Sequence, residues 1–212
     1  MKYKHIIWDW NGTLVDDTWL FVDIMNGVLK NRKLNSITLD DYRNVFDFPV
    51  QDYYRKLGFD FDNEPFESAG LDFIKIYDDR KFEPKLFNDT MPTLNKLKEY
   101  GCTHSVLSAQ NIVTLKKSVS HYQLDEMFEY ISGLEDHYAI GKVEQGKNLI
   151  QNLDFQLDEV AMIGDTEHDH EVAEAMGIKC FLMDRGHNST NRLKSKTSKV
   201  LSSFTELMEE IS

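Results

Sequence analysis

Two hundred and twelve residues, 41% hydrophobic and 28% charged, suffice for one core with a small insert and exclude disordered, collagen-like and disulfide mini-scaffold classes. The balance of 24 basic against 36 acidic residues gives a net charge of −12, which repels a phosphate backbone on average and argues against nucleic-acid binding. No stretch approaches the roughly 18 uninterrupted apolar residues of a bilayer span, and the N-terminus meets Asp9 too early for a signal-peptide apolar region, so a cytoplasmic protein without membrane contact is expected.

Residues 4–9 form a short, apolar, β-branched run that ends on Asp9, and Asn11-Gly12-Thr13 follows as turn chemistry. This predicts a buried strand that delivers Asp9 to its C-terminal end. Residues 16–86 are rich in aromatics and acids, with helical patterns over 19–33 and 64–80 and no buried strand. From about residue 88 the texture alternates. A helix starts at Asp89 or Thr90 and stops at Gly101, a strand spans 103–108, a helix 111–121, a strand 129–132 and a helix 143–152. A strand at 159–164, a helix through 168–176 ending at Gly177 and a last strand at 178–183 complete it. Alternating strands and helices imply βαβ units, hence an α/β, doubly wound, Rossmann-like parallel sheet. The expected division is a core of residues 1–15 and 88–212 with a helical cap, 16–87, inserted after the first strand. Cys102 and Cys180 lack metal-like spacing and read as buried free thiols. The basic cluster Arg192, Lys194, Lys196 and Lys199 reads as a solvated loop.

In an open parallel sheet, function collects at the carboxyl ends of the strands. The first strand ends in Asp9, the second in Ser108 and the fourth in Asp165, while Lys142 lies on the connection after the third. A carboxylate nucleophile, a hydroxyl and an ammonium for phosphate oxygens, and a second carboxylate for a divalent cation make a phosphoryl-transfer set.

On four motifs the chain resembles the haloacid dehalogenase-like hydrolase superfamily, in the helical-cap subgroup that includes phosphoglycolate phosphatase-like enzymes. They are Asp9-Trp10-Asn11-Gly12-Thr13-Leu14, Leu107-Ser108-Ala109, Gly141-Lys142 and Gly164-Asp165-Thr166-Glu167-His168-Asp169. The resemblance implies a Mg²⁺-dependent phosphatase acting on a small phosphorylated metabolite through an aspartyl-phosphate on Asp9. Ser108 and Lys142 would bind the phosphoryl oxygens, beside Gly12 and Ala109. Mg²⁺ would be held by Asp9, the Asn11 carbonyl and Asp165, with Asp169 supporting directly or through water. Two departures stand out. Val143 follows Lys142 where proline is usual, which leaves Lys147 as the alternative lysine. Asn11 replaces an aspartate that protonates the leaving oxygen in most of these phosphatases, and an amide cannot do so. Acid–base help is typically worth about 10²–10⁴-fold, so the expectation is a slow phosphatase, a good leaving group, a long-lived aspartyl-phosphate, or a substitute acid such as Asp16, Asp17 or an acid on the cap. The alternative is a phosphate-ligand binding or regulatory protein with weak or no turnover. Carbon–halogen cleavage fits less well, because it gives a metal site no role.

Residues 141–148 nearly spell a phosphate-binding loop, but Asn148 stands where a hydroxyl is required. His168 and His170 are expected to be exposed, since successive helical residues cannot converge on one ion. Trp8 and Trp10 are expected to pack, with Trp10 also able to line the site mouth. In the insert, Phe46-Asp47-Phe48-Pro49 and Asp52-Tyr53-Tyr54-Arg55 fall where related caps face the site, so Arg55 could meet a substrate anion; Phe73, Ile76 and Tyr77 read as cap core. The partner is a small molecule, and the chain a monomer or homodimer.

Overall fold

The computed structural model describes residues 1–135 and 141–212. Strand β1 (His5–Trp8) is followed by β2 (Val15–Asp16), the helices α1 (Thr18–Asn31), α2 (Leu39–Val45), α3 (Val50–Lys56) and α4 (Phe66–Arg80), and β3 (Lys85–Leu86). Then α5 (Thr90–Glu99), β4 (Thr103–Asn111), α6 (Ile112–His121), β5 (Tyr130–Leu134), α7 (Lys142–Asn152), β6 (Val160–Gly164), α8 (Glu167–Met176) and β7 (Lys179–Met183) alternate. The chain closes with α9 (Thr190–Leu193), β8 (Val200–Leu201) and α10 (Phe204–Ile211).

The main sheet has the order β5-β4-β1-β6-β7-β8, with every neighbouring pair parallel. Its two cores follow from the pleat, which points successive side chains to opposite faces. On β1, Ile6 and Trp8 join Leu94, Leu97, Leu115, Val119 and Phe204 under α5, α6 and α10. Ile7 joins Leu149, Val172, Ala173 and Met176 under α7 and α8. On β6, Ala161 and Ile163 face the first cluster, and Val160 and Met162 the second. Such strands are continuous apolar runs because neither face meets water. The chain winds outward from β1 through β4 to β5, then returns to start again at β6. The switch point between β1 and β6, where strand order leaves a crevice, therefore receives Asp9 and Asp165.

The helices α1–α4 bury their own cluster, in which Leu20, Ile24, Val28, Tyr42, Tyr53, Ala69 and Tyr77 meet. They leave and rejoin the sheet layer through β2 and β3, an antiparallel ribbon that pairs Val15 with Leu86 and Asp16 with Lys85. Hydrogen bonds hold α2 to the loop after β7. Arg43 donates from Nε to Gly186 O at 2.8 Å and from its terminal Nη2 to Arg185 O at 2.9 Å, and Asn188 Nδ2 donates to Phe46 O at 3.2 Å.

Several expectations change. The strand at Lys179–Met183 is not the last, since β8 and α10 follow. These short elements carry little sequence signal, yet Phe204 is fully buried against Trp8, with ring centroids 5.2 Å apart. Arg185 lies between the Phe87 and Phe204 rings, 4.0 and 3.9 Å from their centroids, and donates to Asp89 at 2.7 Å and to Thr13 O at 3.0 Å. The basic cluster is not simply a solvated loop. Arg192 is half-buried and donates to Glu167 Oε2 from Nε at 2.9 Å and to Phe46 O, so it ties α2 and α8 together. Lys196 and Lys199 pair with Glu171 and Glu210. His168 and His170 are half-buried rather than exposed, and the His168 ring lies 4.8 Å from that of Phe48. Trp8, Trp10, Cys102 and Cys180 are buried as expected, and Trp10 packs on Tyr122. Phe204→Ala should lower stability by about 3–5 kcal/mol through the cavity it leaves, measured by urea unfolding; a loss below about 1 kcal/mol would show that α10 is peripheral to the core.

Candidate active site

The carboxyl ends of β1, β4 and β6 and the start of α7 bring four predicted residues together. Asp9 follows β1 directly and is 7% exposed. Lys142, the first residue of α7, is 3% exposed and donates from Nζ to Asp9 Oδ1 at 2.5 Å and to Asp169 Oδ1 at 2.6 Å. Lys147 points away, exposed and 3.2 Å from Glu144, so Lys142 is the lysine that the fold brings to the acids. Gly141, with φ +116, supplies the left-handed turn that starts α7. Ser108 is buried and its Oγ accepts from Gln110 N at 3.1 Å. It does not end its strand as expected. β4 continues to Asn111, and the ladder to β5 shifts register between Leu107 and Asn111, so the irregularity frees Ser108 from regular pairing.

Carboxylate oxygens of Asp9, Asp165 and Asp169 lie within 4.8 Å of one another. Asp165 and Asp169 do not converge by sharing a helix face. Asp165 precedes α8, Thr166 caps it, and Asp169 folds back as the capping-box acid. Asp169 Oδ2 accepts from Asp165 N at 3.1 Å, Thr166 N at 2.9 Å and Thr166 Oγ1 at 2.7 Å. Asp165 accepts from Thr13 Oγ1 at 2.7 Å and from His187 N at 2.6 Å. Three glycines, Gly12, Gly164 and Gly186, make room for these acids. A Cβ on Gly12, whose φ is +73, would lie 2.5 Å from Asp165 Oδ2, and one on Gly164 would lie 2.4 Å from Asp169 Cγ.

Burial dominates the electrostatics. It pushes the Asp9 carboxyl well above its usual range, with Lys142 pulling the other way, and it also raises Asp165 against the opposing charge of His187. For Asp169, burial is outweighed by Lys142 and the Thr166 hydrogen bond, and the carboxyl falls below its usual range. Burial likewise disfavours the Lys142 ammonium, but Asp169 and Asp9 raise it. When all three are ionised, the carboxylates exceed the single Lys142 ammonium by two negative charges. Oxygen donors with that excess fit a hard divalent cation.

Beside this cluster, Asn11 Nδ2 donates to Asp17 Oδ2 at 2.5 Å and to the Tyr77 hydroxyl at 3.0 Å, and Gly12 N donates to Asp17 Oδ1 at 2.9 Å. Tyr77 also contacts Gln110 Nε2 at 2.8 Å. His187 Nδ1 meets the Tyr42 hydroxyl at 2.8 Å, and its Nε2 lies 3.4 Å from Asp17 Oδ1. Thr13, Asp17, Thr166 and His187 thus belong to the site. The strand-end rule applied to β7 as well would have placed the loop with His187 there. Arg55 is not brought to the site: it is exposed and pairs with Asp52 at 2.5 Å.

A cavity of about 210 Å³ extends from Asp9, Asn11, Ser108, Ala109, Lys142 and Asp169 up between α1, α3 and α4. Phe46, Phe48, Tyr53 and Tyr54 line it as expected of that segment, whereas Asp47 and Asp52 do not. Phe73 and Tyr77 also line it rather than serving only as helical core.

The family model described as haloacid dehalogenase-like hydrolase matches residues 6–183. The chain is similar to the phosphoglycolate phosphatase of Rhodobacter capsulatus, 22% identical over 194 residues that cover 87% of this chain and 86% of that protein. It is also similar to the tyrosine-protein kinase PtkA of Mycobacterium tuberculosis, 23% identical over 208 residues, 97% of this chain and 70% of that one. The crystal structure of a predicted phosphatase from Clostridium acetobutylicum shares the fold with a TM-score of 0.81 at 23% identity, covering 100% of this chain and 99% of that one.

Lys142→Met should cost about 3–5 kcal/mol near neutral pH by leaving buried carboxylates uncompensated. In that variant the folded Asp9 pKa stands further above its unfolded value, so the loss should shrink as falling pH protonates Asp9. Urea unfolding at about pH 7.5 and about pH 5 checks this; equal losses at both would remove the carboxylates as the cause.

Proposed function

The chain belongs to the haloacid dehalogenase-like hydrolase family, and on that premise we propose that it is a Mg²⁺-dependent phosphatase that hydrolyses a small phosphorylated metabolite through a covalent intermediate on Asp9. The observation that carries this reading is the buried convergence of Asp9 and Asp165 after β1 and β6 with Lys142 and Asp169 from the first turns of α7 and α8, at the floor of one cavity. The similarity to a phosphoglycolate phosphatase supports the reaction class.

Asp9, Asp165 and the Asn11 carbonyl would hold the cation, with Asp169 in support. When bound, Mg²⁺ neutralises charge on the transferring phosphoryl group and on the acids around it. An Asp9 carboxylate oxygen attacks phosphorus, and the ester oxygen leaves with the bonding electrons. Water then attacks phosphorus, which releases inorganic phosphate and restores the carboxylate. Lys142 already sits on Asp9 Oδ1 and moves onto the phosphoryl oxygens. Ser108 accepts from Gln110 N and keeps its own proton to donate. Residues 16–87 act as the cap, and its contacts through Tyr77 and Tyr42 place water-excluding walls over the reacting atoms.

The site's departure from ordinary acid–base chemistry is physical. The Asn11 amide can neither give nor take a proton and is held by the Asp17 carboxylate. That contact favours a second reading, a phosphate-ligand binding protein with little turnover. It also means that Asn11→Asp alone would place two carboxylates in buried contact.

Asp9→Asn should retain the fold and abolish Mg²⁺-dependent phosphate release from an aryl phosphate; activity near that of the unaltered protein would remove Asp9 as nucleophile. Exchanging the pair, Asn11→Asp with Asp17→Asn, should raise turnover of alkyl phosphates by about 10²-fold or more if the missing acid limits the rate. If the unaltered chain binds phosphate and Mg²⁺ in calorimetry but releases no product, and the exchanged pair is equally silent, the binding reading holds.

A further inference from the structure

The cavity has two chemically distinct ends. Its floor holds the acids, Lys142 and Ser108, whereas its walls are mostly rings and aliphatic side chains, Phe21, Phe46, Phe48, Tyr53, Phe73 and Tyr77 among them. These rings already pack edge to face or tilted, with Phe21 5.4 Å from Phe73 and 5.3 Å from Tyr77, and Phe46 5.3 Å from Tyr53. Such walls favour a flat apolar body, because offset and edge-on ring contacts add to area burial. The space is small. At about 210 Å³ it falls below the roughly 300–1,000 Å³ of drug-sized ligand sites.

Charge narrows the class further. Among the described residues lining the cavity, Lys142 is the only lysine or arginine, and it is engaged at the floor by Asp9 and Asp169. The charged side chains on the upper walls are Glu67 and Asp78, while His187, which also lines the cavity, faces Tyr42 and Asp17 beside the floor. Above the floor a second phosphate or a carboxylate would meet these two acids with no lysine or arginine to offset them, a poor exchange for its hydration.

The floor supplies an independent constraint through the leaving group. The groups facing it from β1 and β4 are an amide at Asn11 and a hydroxyl at Ser108. Both ring nitrogens of His187 are turned to Tyr42 and Asp17 instead. A leaving oxygen that must depart with little protonation leaves more readily as a phenolate, whose conjugate acid has a pKa near 10, than as an alkoxide close to the roughly 15.7 of water.

We propose, resting on the phosphatase reading above, that the substrate is a small aryl phosphate: a phosphate monoester of a ring hydroxyl on a single aromatic ring with no second anionic group. Its ring would lie among Phe21, Phe73 and Tyr77. In the reaction the phosphorus–aryl oxygen bond breaks as the Asp9–phosphorus bond forms, and the phenolate leaves with the electron pair, taking its proton from solvent after release.

Gly70 provides a steric test. It lines the cavity on α4, and a Cβ there would meet only Phe66 Cζ at 3.9 Å, so a larger side chain can enter the empty space. With Mg²⁺ present, kcat/KM is compared for phenyl phosphate, hexyl phosphate, phosphoglycolate and acetyl phosphate, the last reporting phosphoryl chemistry without an apolar body. Phenyl phosphate should exceed hexyl phosphate and phosphoglycolate by about tenfold or more, and Gly70→Leu should lower phenyl phosphate about tenfold more than acetyl phosphate. Phe73→Leu, which keeps a side chain in the wall, should show the same selective loss if Gly70→Leu fails to fold. Phosphoglycolate or hexyl phosphate equal to phenyl phosphate, with acetyl phosphate still hydrolysed, overturns the aryl assignment and leaves the phosphatase standing. If no compound is turned over, the phosphatase reading fails, and calorimetry with phenylphosphonate and methylphosphonate decides the pocket. Phenylphosphonate binding about tenfold tighter upholds the aromatic subsite, and equal binding overturns it.

Discussion

A buried ammonium shared by two carboxylates governs this molecule. Lys142 touches Asp9 and Asp169 at ion-pair distance in a place where all three are almost fully withdrawn from water. Desolvating such charges costs several kcal/mol each, and only close, hydrogen-bonded geometry offsets it. The surrounding structure supplies that geometry. The left-handed Gly141 starts α7 so that its first residue reaches the floor, and the capping box of α8 folds Asp169 back toward it. The switch point between β1 and β6 sets Asp9 and Asp165 side by side. Even so, the ionised cluster has more negative than positive charge, which is a poor arrangement for stability alone and one that fits a hard cation.

The α1–α4 layer contributes something different. It has its own apolar cluster, yet it engages the sheet layer through polar groups: Tyr77 with Asn11, Tyr42 with His187, and Arg43 with the carbonyls of Arg185 and Gly186. Hydrogen bonds of this kind each contribute about 0.5–1.5 kcal/mol net, far less than the apolar cores on either side. The joint between the layers is therefore weaker than the layers themselves, and it runs through the residues that stand next to Asp9.

How far the sequence could be read followed from how local each signal was. The strands β1, β4, β6 and β7 were legible because burial on both faces makes them continuous apolar runs, and the meeting of Asp9 with Asp165 was legible because both directly follow such a run. The capping-box role of Asp169 was written in the Thr166–Asp169 spacing but could be mistaken for a shared helical face. The position of His187 depends on a loop after β7 with no motif of its own. The irregularity in β4 that releases Ser108 depends on pairing with β5, which is a long-range event. The cavity's ring walls were partly visible as Phe46, Phe48, Tyr53 and Tyr54, but whether Phe73 or Ile76 faces inward depends on the rotation of α4, which composition cannot give. Arg55 shows the converse, a residue in a suggestive segment whose nearest carboxylate, Asp52, satisfies it at the surface.

The ribbon of β2 and β3 fixes the distance between the two ends of the helical layer. Because Val15 pairs with Leu86 and Asp16 with Lys85, the two ends of everything between them are clamped about 4.8 Å apart, one strand spacing. Beyond Asp17, whose carboxylate holds Gly12 N and Asn11, the intervening residues can therefore lengthen or shorten without altering where β1 leaves Asp9 or where α5 begins. For protein engineering this makes the segment a cassette: another helical insert grafted at these two pairs, with Asp17 kept, would inherit the same carboxylate floor and present it with a differently shaped ceiling.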